Sequence, residues 1–382
     1  MSLNSTVKVG VVDRQIDLFE GMYKVPDGVT YNSYAVSGEK IAIIDSVDAH
    51  FSGEWLDNIE KALGGKSPDY LIVQHMEPDH SGSVDAFINK YPDAVIVGNS
   101  KTLVMLGEYF GTGFPKNSLT VKDGETLDLG GRVLKFIFAP MVHWPEVMFT
   151  YDENSATLFS ADAFGSFGIN SEGWDDEARR YYIGIVGKYG VQVTSVLKKV
   201  SQLKIQTVAP LHGKVLSGEK LTKAIELYTK WAGYQPETEG VLIAFSSVYG
   251  HTKVAAELLY NELISRGVEA KILDLARADW AECVAQAFKY SKLVVATTTY
   301  NAAIFPAARE FIERLVERNY KNRIVAFIEN GTWAPVCAKL MRTQFENCKD
   351  ITFAENVVKI HSALNDESRA QVIALAKELS QQ

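Results

Sequence analysis

Beyond residue 240 the chain alternates strictly between short apolar runs and stretches with helical spacing. The runs are GVLIAFSS, EAKILDL, KLVVATTT, RIVAFIEN and ITFAENVVK, and the first helix is expected from about Thr252 to Arg266. Strands that are apolar on both faces must be covered on both. Five of them alternating with five helices over about 140 residues therefore predict a doubly wound, parallel, five-stranded sheet.

The preceding sequence is organised differently. Short β runs (KIAIID, YLIVQH, AVIVGN, VLKFIFAP, ATLFSAD, TVAPLHG) each lead into a loop, with helical stretches between some of them. The polar segment GYQPETEG, residues 233 to 240, reads as a linker. A chain of 382 residues exceeds one typical core, so two domains are expected, at 1–236 and 237–382. The halves show no mutual repeat.

Composition closes several functional classes. A net charge of −8 with scattered basic residues argues against nucleic acid and against an anionic membrane surface. No apolar stretch approaches bilayer-spanning length and the opening MSLNSTVKVGVV has no signal-peptide pattern, so a cytoplasmic protein is expected. Cys283, Cys337 and Cys348 are too few and too widely spaced for a disulfide framework or a CxxC metal knuckle. They are expected as thiols.

The stretch LIVQHMEPDHSGS, residues 71 to 83, places His75, Glu77, Asp79 and His80 just past a buried strand. Three more candidates occupy the same kind of position: His143 after VLKFIFAPMV, Asp162 after ATLFSA and His212 after TVAPL. One histidine alone is more often a surface or core residue than a ligand. The chain has only seven, however, and four of them fall at strand ends beside three carboxylates. That recurrence points to a metal centre.

The pattern HxExDH, followed by a lone His, a lone Asp and a lone His, resembles the metallo-β-lactamase fold as modified in flavodiiron proteins, and the layout matches from about Val9 to the end. The resemblance implies an αββα sandwich in the first domain. It also implies that His75, Glu77 and His143 bind one iron, that Asp79, His80 and His212 bind the other, and that Asp162 bridges them. Hydrolytic relatives carry HxHxDH and usually bind zinc. Glu77 replaces an imidazole here with a harder oxygen donor, which suits redox-active iron better than a tetrahedral zinc pair. Tyr182, in RRYYIGIV, stands where the family places a catalytic tyrosine whose hydroxyl can meet a bound oxygen species; packing in the core is its alternative reading. Trp144, in HWPEVMF, is read as pocket wall. Several members carry a pocket histidine near the N-terminus. This chain has none before His50, and Glu20 in DLFEGMY fills that place, which leaves substrate preference open.

In the second domain, AFSSVYGHTKVAAELL resembles the phosphate loop of flavodoxins. Amides at a helix N-terminus together with the hydroxyls of Ser246, Ser247 and Thr252 can hold a phosphate without a lysine, and Tyr249, Gly250 and His251 belong to the same loop. TTTYNAAIFP supplies Thr298, Thr299, Tyr300 and Asn301, while ENGTWAP supplies Asn330, Gly331, Thr332 and Trp333. Aromatic side chains and backbone hydrogen bonds suit an isoalloxazine ring. Strand order 2-1-3-4-5 brings all three loops to the topological switch point, so FMN is the expected cofactor. GxGxxG is absent, and direct nicotinamide dinucleotide binding is not expected.

The favoured reading is an oxidoreductase in which FMN passes electrons to a non-haem diiron centre that reduces O2 to water, NO to N2O, or both. The alternative is a zinc-dependent ester or thioester hydrolase of the same fold fused to a flavodoxin electron carrier. A centre that only senses O2 or NO is the third. The resemblance further implies a head-to-tail homodimer, or a dimer of dimers. It also implies an external donor such as rubredoxin or a flavin reductase, because no rubredoxin-like CxxC pair follows in the sequence.

Overall fold

The computed structural model describes residues 4–169 and 173–381. The chain divides into two compact units. One runs through Tyr182 and resumes at Tyr189–Thr229; the other comprises Ile183–Lys188 and the chain from Lys230 onward.

The first unit is built on two six-stranded sheets. One orders Thr6–Lys8, Tyr34–Ser37, Ile41–Ile44, Tyr70–Ile72, Val95–Gly98 and Ser118–Thr120. The other orders Thr126–Asp128, Val133–Phe138, Met148–Asp152, Thr157–Phe159, Thr207–Ala209 and Leu216–Ser217. Val36, Ala42, Ile44, Ile72 and Val97 of the first sheet share a core with Leu134, Phe136, Met148, Phe159 and Ala209 of the second. This is the αββα metallo-β-lactamase-like sandwich. The strands are short and end abruptly, so the loops that follow Ile72, Phe138, Phe159 and Ala209 lie at strand ends. Each carries one of the expected ligands or ligand groups.

The second unit is flavodoxin-like, with strand order Glu269–Asp274, Thr238–Phe245, Tyr290–Tyr300, Arg323–Asn330, Ile351–Phe353. All of these pairings are parallel, as the alternation predicts. The first helix runs His251–Ser265. The expected strand ITFAENVVK is interrupted: Ile351–Phe353 and Val358–Ile360 both pair with Arg323–Asn330. The Glu378 carboxylate of the last helix accepts from the Glu355 and Asn356 amides at 2.7 and 3.0 Å, so the carboxylate replaces strand pairing there.

Residues 233 to 240 are not a loose linker. A strand already begins at Thr238, and the Tyr234 hydroxyl donates to the carbonyls of Gly187 and Lys188 at 2.9 and 3.2 Å. The buried Arg323 guanidinium donates to the Tyr234 carbonyl at 2.7 Å. The Tyr234 carbonyl, which would face water in a linker, is here occupied by a buried donor.

Candidate diiron centre and flavin recess

His75 sits on a segment pinned from beneath. Asp45 accepts from the Gln74 amide at 2.7 Å and from its side chain at 2.8 Å, directly after strand Tyr70–Ile72. Pro78 then starts the short helix Pro78–Ser81, with Glu77 at its N-cap, and this tight turn sets Glu77, Asp79 and His80 around one point. The Ser46 amide and hydroxyl both donate to the His80 carbonyl, at 3.0 and 2.7 Å. On the far side, Asn32 donates to the carbonyls of Pro210 and Gly213 at 2.8 and 3.0 Å and so fixes the loop of His212. Gly213 has φ +76°, and a Cβ there would lie 2.3 Å from Ser166 Oγ; only glycine fits.

These supports bring all seven expected ligands together. His75, Glu77, His143 and Asp162 form one group and Asp79, His80 and His212 another, the ligand atoms of each lying within 4.8 Å of one another. The four imidazoles turn Nε2 inward. His143 Nε2 is 3.1 Å from both Glu77 and Asp162, and His75 Nε2 is 3.2 Å from Glu77. His212 and His80 approach Asp79 at 3.2 and 3.3 Å. Asp162 divides itself: Oδ2 lies 3.1 Å from His143 and 3.4 Å from His75, whereas Oδ1 lies 3.2 Å from His80. One oxygen faces each group.

Other polar groups set the donor faces. His75 Nδ1 donates to Glu146 Oε1 at 2.9 Å, and His212 Nδ1 donates to the Thr30 carbonyl at 2.8 Å. Spending Nδ1 this way leaves the Nε2 lone pair free for a metal. Both Asp79 oxygens and Asp162 Oδ1 are buried without a hydrogen bond, and His80 and His212 oppose their Nε2 atoms at 2.9 Å. Carboxylate oxygens and imidazole lone pairs converging in the interior without donors fit a pair of cations.

The metal-free electrostatics follow from this crowding. Burial lowers the His143 imidazole, but hydrogen bonds to Asp162 and Glu77 outweigh it and carry it up to about 9. Burial would raise Asp162, yet the neighbouring imidazoles hold it well below the usual carboxylate range. Glu20 occupies the turn between strands Leu18–Phe19 and Tyr23–Lys24 at φ +50°. Crowding by protein, then repulsion from Glu77, raises its carboxyl to about 7 although solvent reaches it. Glu20 therefore belongs to the surroundings of the cluster.

The two neighbouring tyrosines of RRYYIGIV are set differently. Tyr182 packs edge-on against Tyr228 at 5.0 Å. Tyr181 lies 5.5 Å from the His212 ring, fully buried, with its hydroxyl unbonded; burial, then Asp162, Glu77 and Asp79, push it well above the usual phenol range. One step along a helix turns a side chain by about 100°. Nothing in the dipeptide YY says which ring turns inward. Trp144 stands edge-on to His75 at 5.4 Å and forms wall, as expected. Glu146, Thr30, Asp45 and Tyr181 were missed as supports; HWPEV carried Glu146 in plain view, but only folding sets it against His75.

In the second unit the three expected loops line two adjoining recesses of 350 and 470 Å³. The smaller is bordered by Ser247, His251, Thr252, Thr298, Asn330 and Thr332, the larger by Thr299, Tyr300, Asn301, Gly331 and Trp333; Tyr249 borders both. Hydroxyls gather at one end and aromatic rings at the other. Gly250, at φ +91°, caps helix His251–Ser265, and a Cβ there would meet nothing within 4 Å. This division fits a phosphate and ribityl chain in the smaller part and a planar ring in the larger. Ser246, also expected here, is fully buried, bonds Thr297 Oγ1 at 2.7 Å and lines neither recess. Ser362, whose carbonyl accepts from Asn330 Nδ2 at 3.0 Å, adds a fourth segment that the sequence did not announce.

A carboxylate-bridged donor cluster on a β-lactamase-like sandwich, followed by a flavodoxin-like unit, defines a flavin- and metal-dependent oxidoreductase. Residues 29–213 match the family described as ODP family beta lactamase, and residues 242–355 match the flavodoxin domain. The nitric oxide reductase of Moorella thermoacetica is 31% identical over 91% of this chain and 89% of its own. The rubredoxin oxygen:oxidoreductase of Desulfovibrio gigas superposes with a TM-score of 0.91 at 25% identity, over 98% of this chain and 96% of that one. The flavodiiron protein of Giardia intestinalis gives 0.91 at 26%, over 98% and 95%. The chain belongs to the flavodiiron protein family, oxidoreductases that combine FMN with a non-haem diiron centre and take electrons from an external donor. Among its described residues no helix is long and apolar enough to cross a membrane.

Proposed function

We propose that this chain is a cytoplasmic reductase of O2, NO or both, with His75, Glu77 and His143 holding one iron, Asp79, His80 and His212 the other, and Asp162 bridging. The observation that carries this reading is Asp162, whose two oxygens each face one of the two donor groups. Ser247, Tyr249, Gly250, His251, Thr252, Thr298, Thr299, Tyr300, Asn301, Asn330, Gly331, Thr332 and Trp333 form the FMN site. When bound, the flavin supplies electrons singly and the iron pair supplies the redox chemistry on the small oxidant.

The protein's own groups bind, orient and shield. Glu146 and the Thr30 carbonyl hold the imidazoles of His75 and His212 in orientation. Trp144 and Phe19 wall the cluster, Phe19 lying edge-on to His212 at 5.2 Å. Tyr181 keeps its proton at neutral pH and offers a hydrogen-bond donor beside the cluster. Three unpaired cysteines suit a reducing compartment. Electrons come from a rubredoxin or a flavin reductase, and in a head-to-tail homodimer the flavin of one chain serves the metal site of its partner.

Two experiments test this. Anaerobic reduction of the flavin, followed by separate exposure to O2 and NO, should give rapid reoxidation with gas consumption. Zinc in place of about two irons per chain, with thioester hydrolysis, would favour the hydrolase instead. For the dimer, a ligand variant mixed with a flavin-loop variant should recover turnover that neither has alone. No recovery despite verified subunit exchange would refute the cross-chain route.

A further inference from the structure

One carboxylate beside the metal donors has no task in the chemistry derived so far. Glu20 stands at the tip of the hairpin formed by Leu18–Phe19 and Tyr23–Lys24, in which Phe19 pairs with Tyr23. Both of those rings are buried, Phe19 lying 5.2 Å from His212 and 5.6 Å from Phe167, and Tyr23 5.4 Å from Phe167. The hairpin is thus seated against the second donor group, which fixes where its tip lies. Glu20 itself adopts φ +50°, ahead of Gly21 at φ +68°. A long L side chain is disfavoured in that region, where glycine or asparagine costs less. Such an outlier points to a role for the side chain. The carboxylate is not one of the grouped metal donors, and among the described residues it makes no hydrogen bond or ion pair. It nevertheless feels Glu77 and His143 of one donor group, Asp79 of the other, and Asp162, which faces both. Of the seven donors, solvent reaches Glu77 and Asp79 most, their side chains being 15% and 12% exposed. Glu20, itself exposed, acts on both and so stands at the solvent-facing edge of the cluster.

We propose that Glu20 is a charge gate at the metal centre, one that admits uncharged diatomics and turns away small anions of the azide, cyanide and nitrite class. This rests on the diiron reading above and adds the selectivity of its solvent-facing edge. Cationic metals in a buried site attract any small anion, and an anion bound there competes with the diatomic. Glu77, Asp79 and Asp162 offset part of that positive charge from within the donor set. Glu20 subtracts one more unit from outside it. The rings of Phe19, Phe167 and Trp144 form low-dielectric walls, and beside such walls the field of one charge is focused. O2 and NO carry no net charge, so the same field leaves their entry unchanged. A carboxylate that ligated the metals would compete with the diatomic. One held outside the donor set repels anions without doing so.

The test uses the full chain loaded with iron and FMN and oxidised in air. Azide is titrated at low ionic strength, following the charge-transfer absorption it gives with ferric ion. The titration is run at about pH 8, above the value of about 7 to which burial and Glu77 raise this carboxyl in the metal-free chain. Glu20→Gln keeps the size and removes the charge, so the azide dissociation constant should fall by roughly tenfold, and Glu20→Lys should lower it further. Glu20→Asp, which keeps the charge, should stay within about threefold of the wild type. Salt at about 0.5 M should shrink the difference between wild type and E20Q, because a charge is screened and a change of packing is not. The KM for NO, which carries no charge, should move by less than about twofold in E20Q. Unchanged iron content and bound flavin show that the variants keep the fold. Azide affinity that is equal in wild type and E20Q, a difference that salt leaves intact, or no azide absorption in E20Q despite bound iron overturns the gate while leaving the metal centre standing. Zinc in place of iron, with no azide absorption in any form, overturns the diiron reading itself.

Discussion

The two cofactor sites of this chain are built on opposite plans. Most of the candidate metal donors are buried before any ion arrives: Asp162 is 1% exposed, and His75, His80 and His212 are no more than 1% exposed, with Glu77 and Asp79 only partly in reach of solvent. They hang on strand-end loops, and those of His75 with His80 and of His212 are held by a second set of polar groups. The flavin recess is a meeting of loops with its principal rings in solvent, Trp333 at 81% and Tyr249 at 90%. A small cation needs every donor in place within tenths of an ångström, so its site must be ordered by the fold. A flavin brings its own large apolar surface and can order the rings that close over it. The first site should therefore fail all at once under substitution, and the second by degrees.

The sharpest test of that contrast is Asp162→Ala. Both donor groups lose the carboxylate they share, so iron content and turnover should fall together by at least about a hundredfold while FMN stays bound. Metal analysis with flavin fluorescence checks it; retained diiron activity would sink the bridging role. Glu146→Gln weakens only the anchor of His75. It should lower metal affinity by roughly tenfold without displacing flavin, measured by competition with a chelator.

The same site should be sensitive to pH during loading. The His143 imidazole, carried up to about 9 in the metal-free chain, is protonated at neutral pH, and a metal must displace that proton. Apparent metal affinity should therefore rise with pH up to and through about 9, with protons released on loading. The accompanying contribution to metal-free stability has the opposite sense: present below the ordinary histidine range, lost as pH rises through about 9. A pH-independent loading curve would contradict this pairing.

The paired tyrosines divide function from packing. Tyr181→Phe should reduce turnover severalfold at unchanged iron content, whereas Tyr182→Phe should affect thermal stability more than turnover. The reverse result would restore the reading taken from the sequence. The smallest effect is expected in the flavin site. Trp333→Ala should raise the FMN dissociation constant by roughly fivefold, the scale of one stacking contact, and leave iron untouched. Loss of flavin by orders of magnitude would mean that this site, too, is ordered before its ligand arrives.

Much of this molecule is written in its linear pattern. Strand-helix alternation specifies the parallel sheet because strands covered on both faces admit few other arrangements, and the order 2-1-3-4-5 follows with the loops at its switch point. The seven candidate metal donors stand out because HxExDH is local and the other three repeat the same position, directly after an apolar run. What the sequence left open depends on rotation and on long-range contact. Whether Tyr181 or Tyr182 turns toward His212 is a matter of about 100° of helix. Ser246 and Ser247 differ in the same way, one facing the core and the other the recess. Glu146, Thr30 and Ser362 gained their roles only when segments 71, 182 and 32 residues from their partners came to lie against them. A local motif fixes which atoms can bind; only the packing of distant strands decides which of them face the same point in space.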